Sequence, residues 1–172
     1  MTLTYRRLTP ADAPAYRALM LEAYERHPDA FTSDVKEREV LPAQWWEKRL
    51  DDSADATEVV FAAVEDGLLL GVAGLCVETR KKARHKSTLF GMYVPLAHRN
   101  RGIGSRLVRS VLDHARTRPK LLVVQLTVTQ GNAEAVGLYE RMGFVTFGIE
   151  SLAVAVGTGF VAKVHMWKDL RG

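Results

Sequence analysis

Apolar residues along this chain fall into two rhythms, one of helices and one of strands. Beyond Gly102 they recur at Ile103, Leu107, Val108, Val111, Leu112 and Ala115, the spacing of a single helix face. Ala13, Tyr16, Leu19, Met20 and Ala23 form a similar face. Thr9-Pro10-Ala11-Asp12 precedes it with an N-cap, a proline at the first helical position and an acid in the first turn, and His27-Pro28 ends it. Residues 28 to 41 read as irregular or only briefly helical. Shorter helices are predicted over Pro42 to Leu50, carrying Trp45 and Trp46, and over Asn132 to Met142, with Gly143 as a left-handed cap. Leu3 and Tyr5 suggest a short first strand. Glu58 to Val64 and Leu68 to Val77 read as strands joined by the hairpin signal Asp66-Gly67. Leu89 to Val94 and Lys120 to Val128 add two more, and Phe144 to Ile149 and Phe160 to Trp167 close the chain around Gly157-Thr158-Gly159. This order predicts a mixed α/β sheet with helices covering its faces.

Length and composition bound the picture. A chain of 172 residues is expected to form one domain, residues 1–172, with a sizeable core. Its 47% hydrophobic and 26% charged residues are those of a soluble globular protein. The longest nearly apolar run, Leu68 to Val77, is too short to span a bilayer, so no membrane partner is expected. Met1-Thr2-Leu3-Thr4-Tyr5-Arg6-Arg7 lacks the apolar core of a signal peptide, and the single cysteine, Cys76, allows no internal disulfide. A cytoplasmic location is the expectation. The net charge of +4 is partly local, in Arg80-Lys81-Lys82-Ala83-Arg84-His85-Lys86. No aromatic is interleaved there for base stacking, so the run reads as a solvated hairpin tip and nucleic acid is not expected as a partner. His85, His114 and His165 have no ligand spacing, and no metal is expected.

The chemistry concentrates after Val94. Pro95-Leu96-Ala97-His98 reads as a turn, and Arg99-Asn100-Arg101-Gly102-Ile103-Gly104 leads into the strongest helix. Glycines at a helix start let the backbone approach a ligand closely. The first N–H groups there have no partner within the helix, and its dipole adds partial positive charge. Phosphate or pyrophosphate is the natural guest. The spacing is neither the dinucleotide Gly-x-Gly-x-x-Gly nor the Walker pattern.

Arg-x-x-Gly-x-Gly after a strand ending in Val94 resembles the acetyl-CoA pyrophosphate loop of the Gcn5-related N-acetyltransferases, the GNAT family. Asn132 through Leu138-Tyr139-Glu140-Arg141-Met142-Gly143-Phe144 is similar to that family's Asn…Leu-Tyr-x-x-x-Gly-Phe helix. The resemblance is close from Ser87 to Phe147, and its flanking pattern extends over nearly the whole chain. It implies a single-domain GNAT (acyl-CoA N-acyltransferase) fold: a mixed, largely antiparallel sheet with helices on both faces, its fourth and fifth strands splayed around the cofactor. It implies acetyl-CoA as cosubstrate, direct attack by an amine in a ternary complex, and binding by Met92, Tyr93, Val94, Arg99, Asn100, Arg101, Gly102, Ile103, Gly104, Ser105 and Asn132. Gly91, inside a strand, fits a bulge or close backbone approach beside Met92. Tyr139 takes the family's acid role toward the departing thiolate. Asn132 and Tyr139, seven residues apart, share nearly one helix face.

The proton acceptor stays open at this level. The fourth and fifth strands carry Ser87, Thr88, Tyr93, Gln125, Thr127 and Thr129 but no Asp or Glu. Glu78, Glu37, Glu39, Glu150 and a solvent relay are the alternatives, and a non-catalytic acyl-CoA-binding module is the competing function. Cys76 reads as a small buried hydrophobe. Trp45 and Trp46 are candidates for the acceptor pocket, with at least one in the core. The acceptor is an amine-bearing small molecule, an amino-acid derivative or a peptide N-terminus. Pro28-Asp29-Ala30-Phe31 and the acid-containing stretch after it resemble the substrate-side segment of many bacterial members, which implies one wall of its pocket with the closing strands Phe160–Trp167 as the other, and neither carries a dense acidic cluster. Pairing into a homodimer is a further expectation from the family.

Overall fold

The structure, a computed structural model, describes residues 2–172. Seven strands make one sheet: β1 (Thr4–Arg7), β2 (Glu58–Glu65), β3 (Leu68–Val77), β4 (Lys86–Tyr93), β5 (Val123–Thr129), β6 (Val145–Val156) and β7 (Gly159–Asp169). The helices are α1 (Ala13–Arg26), α2 (Val35–Glu39), α3 (Ala43–Arg49), α4 (Ile103–Thr117) and α5 (Ala133–Arg141). The strand order is β1-β2-β3-β4-β5-β7-β6, and every neighbouring pair is antiparallel except β4 with β5.

Side-chain alternation on the central strands sends apolar residues to both faces. Val59 and Ala73 join a core under α4, whereas the neighbouring Val60 and Val72 join a second core under α1 and α3. All six apolar positions read along α4 are buried there, from Ile103 to Ala115. Tyr16, Met20 and Trp46 fill the opposite core. Thr9 and Asp12 start the segment before α1 as expected: the Thr9 N–H donates to Asp12 Oδ2 at 2.8 Å, and Arg6 braces the same carboxylate with two contacts of 2.9 Å.

Some boundaries differ from the sequence reading. β5 begins at Val123, because the chain from Arg118 to Leu121 is still closing the turn after α4 through the Leu121 N–H to Arg118 O bond. β6 runs to Val156, well past Ile149, with a register shift near Leu152, which takes a left-handed φ of 51°. Asn132 caps α5 from outside the helix.

The sheet's one parallel contact positions the site. β4 and β5 pair only from Lys86 to Thr88 against Val123 to Gln125, and then part. The splay expected of the fourth and fifth strands is present. Phe90, Gly91 and Met92 border one side of the opening, and Thr127 to Thr129 the other.

Candidate active site

Two cavities open along the splay and meet. The first, about 320 Å³, lies between the end of β4 and the starts of α4 and α5. Gly74 pairs with Phe90 and Val72 with Tyr93, so Gly91 and Met92 together face Ala73 as a bulge. Gly91 adopts φ 60°, a left-handed conformation that side chains resist. The sequence reading of a glycine bulge is therefore realised at the strand edge beside the cleft.

The loop into α4 leaves its donors open. Asn100 and Gly102 take left-handed φ values of 63° and 74°, and no side chain caps the helix. The Arg106 N–H reaches Gly102 O at 3.2 Å as the first intrahelical bond. Among the described residues, the N–H groups of Ile103, Gly104 and Ser105 have no backbone acceptor. At Gly104 a Cβ would press on the side-chain ends of Met92 (Cε, 3.0 Å) and Leu138 (Cδ2, 3.3 Å), so a side chain there fits only if both shift. Open amides, a helix dipole and a cradle that a methyl group would fill are suited to a diphosphate.

Of the eleven residues expected to bind cofactor, ten line this cleft: Met92, Tyr93, Val94, Arg99, Asn100, Gly102, Ile103, Gly104, Ser105 and Asn132. Arg101 is not brought there. Its guanidinium turns to Glu65, 2.9 Å away. Arg99 sits in the cleft with its Nε donating to the Val94 carbonyl at 3.1 Å. The Tyr93 hydroxyl is committed to Glu22 at 2.7 Å, and burial together with that carboxylate pushes the phenol up to about 12. The Asn132 side-chain oxygen accepts from the Ala135 N–H at 3.2 Å, so only its amide NH2 is left for a ligand.

The second cavity, about 500 Å³, lies under α1 to α3 and against β2, β5 and β7. Ala30, Phe31, Met92, Asn132, Ala135 and Tyr139 line both cavities. Tyr139 thus stands at their junction. Its ring packs edge-on to Phe144, with centroids 5.8 Å apart, and burial raises its pKa well above the ordinary phenol value. It holds its proton at neutral pH.

None of the four carboxylates weighed from the sequence lines either cavity. Glu78 is bound to Arg80 at 3.0 Å, which holds its carboxyl below the usual range, and it borders a separate depression. Glu150 contacts His165 at 2.7 Å, and Glu37 and Glu39 lie on exposed positions of α2. The carboxylate in the second cavity is Glu58, at the start of β2, paired through Oε2 with Arg49 Nε at 3.0 Å. Sequence reasoning missed it, together with Arg38, Arg49 and Lys163, which share the same walls. Only Lys163 left a trace in the sequence, as a lysine at an inward position of an apolar closing strand.

Trp46 is core, and Trp45 stands behind the wall as a platform for Arg38 and Arg49, whose guanidinium carbons lie 4.5 and 4.6 Å from its ring centroid. Cys76 departs from expectation. It is half-buried and lines the second cavity, at the level where its β4 partner Thr88 still pairs with Gln125 of β5. Burial and Glu58 push its thiol up, which keeps it protonated and a poor nucleophile. No cluster of metal-ligating side chains occurs among the described residues.

A family model described as "Acetyltransferase (GNAT) family" matches residues 17–144. The chain belongs to that family. This GNAT chain is similar to the L-amino acid N-acetyltransferase of Escherichia coli (strain K12), 30% identical over 99 residues, covering 58% of this chain and 59% of the relative. It spans about half the length of the curated relatives it matches. Among solved structures, a GNAT-family acetyltransferase from Streptococcus pneumoniae superposes with a TM-score of 0.88 at 26% identity, covering 98% of this chain and 99% of that one. A Salmonella typhimurium structure solved with its cofactor acetyl-CoA has a TM-score of 0.81 at 22% identity, covering 99% of this chain and 95% of that one, and shares the fold. The single-domain GNAT architecture expected from the sequence is the one observed.

Proposed function

We propose that residues 1–172 work as one acetyl-CoA-dependent N-acetyltransferase domain, moving an acetyl group to a primary amine by direct attack in a ternary complex. The observation that carries this reading is Tyr139 at the junction of a diphosphate-type cleft and a second, polar cavity. Family membership and the Escherichia coli relative's name support it.

Acetyl-CoA supplies the activated acetyl thioester. The open amides from Ile103 to Ser105 hold the diphosphate, with Arg99 beside them. The Gly91–Met92 bulge and Val94 position the acyl end. In the second cavity an amine attacks the carbonyl: the C–N bond forms, the C–S bond breaks, the nitrogen loses one proton, and the sulfur leaves with the bonding electron pair as a thiolate that takes its proton from solvent. Glu58 receives the nitrogen's proton, directly or through water. Tyr139 donates a hydrogen bond to the departing sulfur. A phenol's ordinary value of about 10 already exceeds a thiol's of about 8.5 and burial widens the gap, so full proton transfer to sulfur is uphill. Tyr139 therefore acts chiefly by stabilising the thiolate. With Glu58 in the cavity, the missing strand carboxylate no longer argues for a non-catalytic binding module.

Two finer statements belong to the proposal. A cytoplasmic location is supported by the lone cysteine, and no helix among the described residues is long and apolar enough to cross a membrane. A homodimer through β6 is supported by that strand's place at the sheet edge and by Val145, Phe147 and Ile149, each more than half exposed along it. Light scattering with and without Phe147→Asp decides the dimer: a species of one-chain mass for the unaltered protein removes it. The activity is tested by mixing the protein with acetyl-CoA and a panel of small amines, amino-acid derivatives and peptides. Thiol release is followed, and products are identified by mass spectrometry. Release above a heat-killed control is expected with at least one amine, and none with any amine overturns the reading.

A further inference from the structure

The walls of the second cavity carry more positive charge than the site uses. Arg38, Arg49 and Lys163 line it, against the single carboxylate of Glu58. Arg49 is matched by Glu58. Among the described residues, neither Arg38 nor Lys163 forms an ion pair with any carboxylate.

Both unmatched cations are tied to the same short wall by neutral partners. Arg38 Nη2 donates to Ser33 Oγ at 2.8 Å, and its guanidinium carbon lies 4.5 Å from the centroid of the Trp45 ring. These contacts hold the group in place while leaving further N–H groups for a ligand. Lys163 is 5% exposed, and its Nζ donates to the Ala30 carbonyl at 3.2 Å and to Thr129 Oγ1 at 3.1 Å. An ammonium has three donors, so one remains. Asp29 and Glu150 act on it only from beyond contact. A buried cation with only dipoles around it is costly, and a ligand anion offsets that cost.

We propose that the acceptor is a free α-amino acid, whose carboxylate is held by Arg38 and Lys163 while its amine faces the thioester. The proposal rests on the acetyl-transfer reading above. A simple alkylammonium would enter a cavity of like charge. An amino acid brings its own counter-ion, and the same two cations then favour loss of the proton from its ammonium, which helps a site whose one carboxylate is already paired. The planar fork of Arg38 suits a carboxylate. A peptide N-terminus lacks the adjacent carboxylate and does not satisfy the pair.

The test uses matched sets on the full chain: alanine and leucine, their amides, their decarboxylated amines, and dipeptides beginning with them. Thiol release from acetyl-CoA should favour the free amino acid over its amide by about 10- to 100-fold in kcat/KM, as for one charge-assisted hydrogen bond. Arg38→Gln should shrink that ratio about tenfold through KM, with the acetyl-CoA Kd unchanged. Lys163→Met also unties residue 30 from the sheet, so Arg38→Lys, which keeps charge but loses the fork, serves as the second variant. Amides or dipeptides used as well as the free acids would overturn the proposal, as would a ratio insensitive to Arg38. If no amine releases thiol, the acetyl-transfer reading fails on its own terms. Calorimetry then still decides the anion site: N-acetylalanine or N-acetylleucine must bind the CoA-loaded protein more tightly than the matching amide, and equal or absent binding overturns it.

Discussion

Tyr139→Phe separates the chemistry of this site from its architecture. The hydroxyl makes no hydrogen bond to any described residue, and the ring's edge-on packing against Phe144 survives the change. The folded protein therefore loses no internal bond, and the melting temperature should stay within about 2 °C, the shift expected for less than 1 kcal/mol in a chain of this size. The transition state loses one hydrogen bond donated to a developing thiolate. Bonds to charged groups contribute about 1.5–3 kcal/mol, and each 1.36 kcal/mol is a decade in rate, so kcat should fall roughly 10- to 150-fold. Acetyl-CoA affinity should change less than about twofold, since the diphosphate cradle is elsewhere. Burial holds the phenol above its usual pKa, so the ionised form is absent at neutral pH. The wild-type kcat should then show no falling limb from this residue below about pH 10. Steady-state thiol release with a saturating amine, beside a calorimetric Kd for acetyl-CoA, reads both quantities. A kcat within a factor of about two of wild type would refute the assignment, and a large loss of cofactor affinity would place Tyr139 in binding instead.

Other expectations follow from the same geometry. Glu58→Gln should lower kcat by about a hundredfold, the scale of general-base contributions, and leave acetyl-CoA affinity intact. Glu78→Gln, in its separate depression, should change kcat by less than about twofold, and the reverse order would reassign the base. Arg101→Gln should alter CoA affinity by no more than about threefold, because its guanidinium serves an exposed pair with Glu65 and does not line the cleft. A drop of ten times or more in titration would show that Arg101 reaches the cofactor. Asp12→Asn removes the charge and one of the two oxygens that Arg6 contacts, leaves the Thr9 N–H only a neutral acceptor, and should cost about 1 kcal/mol at pH 7 in urea unfolding. Arg6 and the Thr9 N–H hold the Asp12 carboxyl below its usual pKa, so that stability is present above about pH 4 and lost as pH falls through the lower folded value. A difference between wild type and variant that persists at pH 2 would contradict this account.

The parts of this molecule that could be read in the sequence are those built from contiguous residues. α4 announced itself because all six of its core positions repeat within one segment and all six are buried. The Asp66-Gly67 hairpin and the bulge at Gly91 were visible for the same reason. β6 was cut short in the reading because it is an edge strand. Both its faces meet solvent over much of its length, so Glu150 to Val156 carries no inward apolar rhythm, and the kink at Leu152 hides the continuation. Asn132 looked helical because a cap and a first-turn residue share the same spacing to Tyr139, and only its bond to the Ala135 N–H tells them apart. The cleft between β4, α4 and α5 was legible through its glycine loop. The second cavity was not, since Arg38, Arg49, Glu58 and Lys163 come from α2, α3, β2 and β7 and meet only when the sheet closes around the splay. The basic run at residues 80 to 86 is as solvated as expected. It sits at the opposite end of β4 from the cleft, about 23 Å away by strand rise, and Arg80 is neutralised by Glu78.

Calorimetric titration of the folded chain with acetyl-CoA and free CoA, beside Gly104→Val, tests the diphosphate cradle most directly. A Cβ at that position would press within 3.0 Å of Met92 and 3.3 Å of Leu138 on the floor of the cleft. Both ligands should bind the unaltered protein and compete with each other. In the variant both should weaken by about tenfold or more, because the added side chain pushes Met92 and Leu138, which line the cleft, into the space the ligand takes. Absence of heat from the unaltered protein, or full affinity in the variant, would contradict the account.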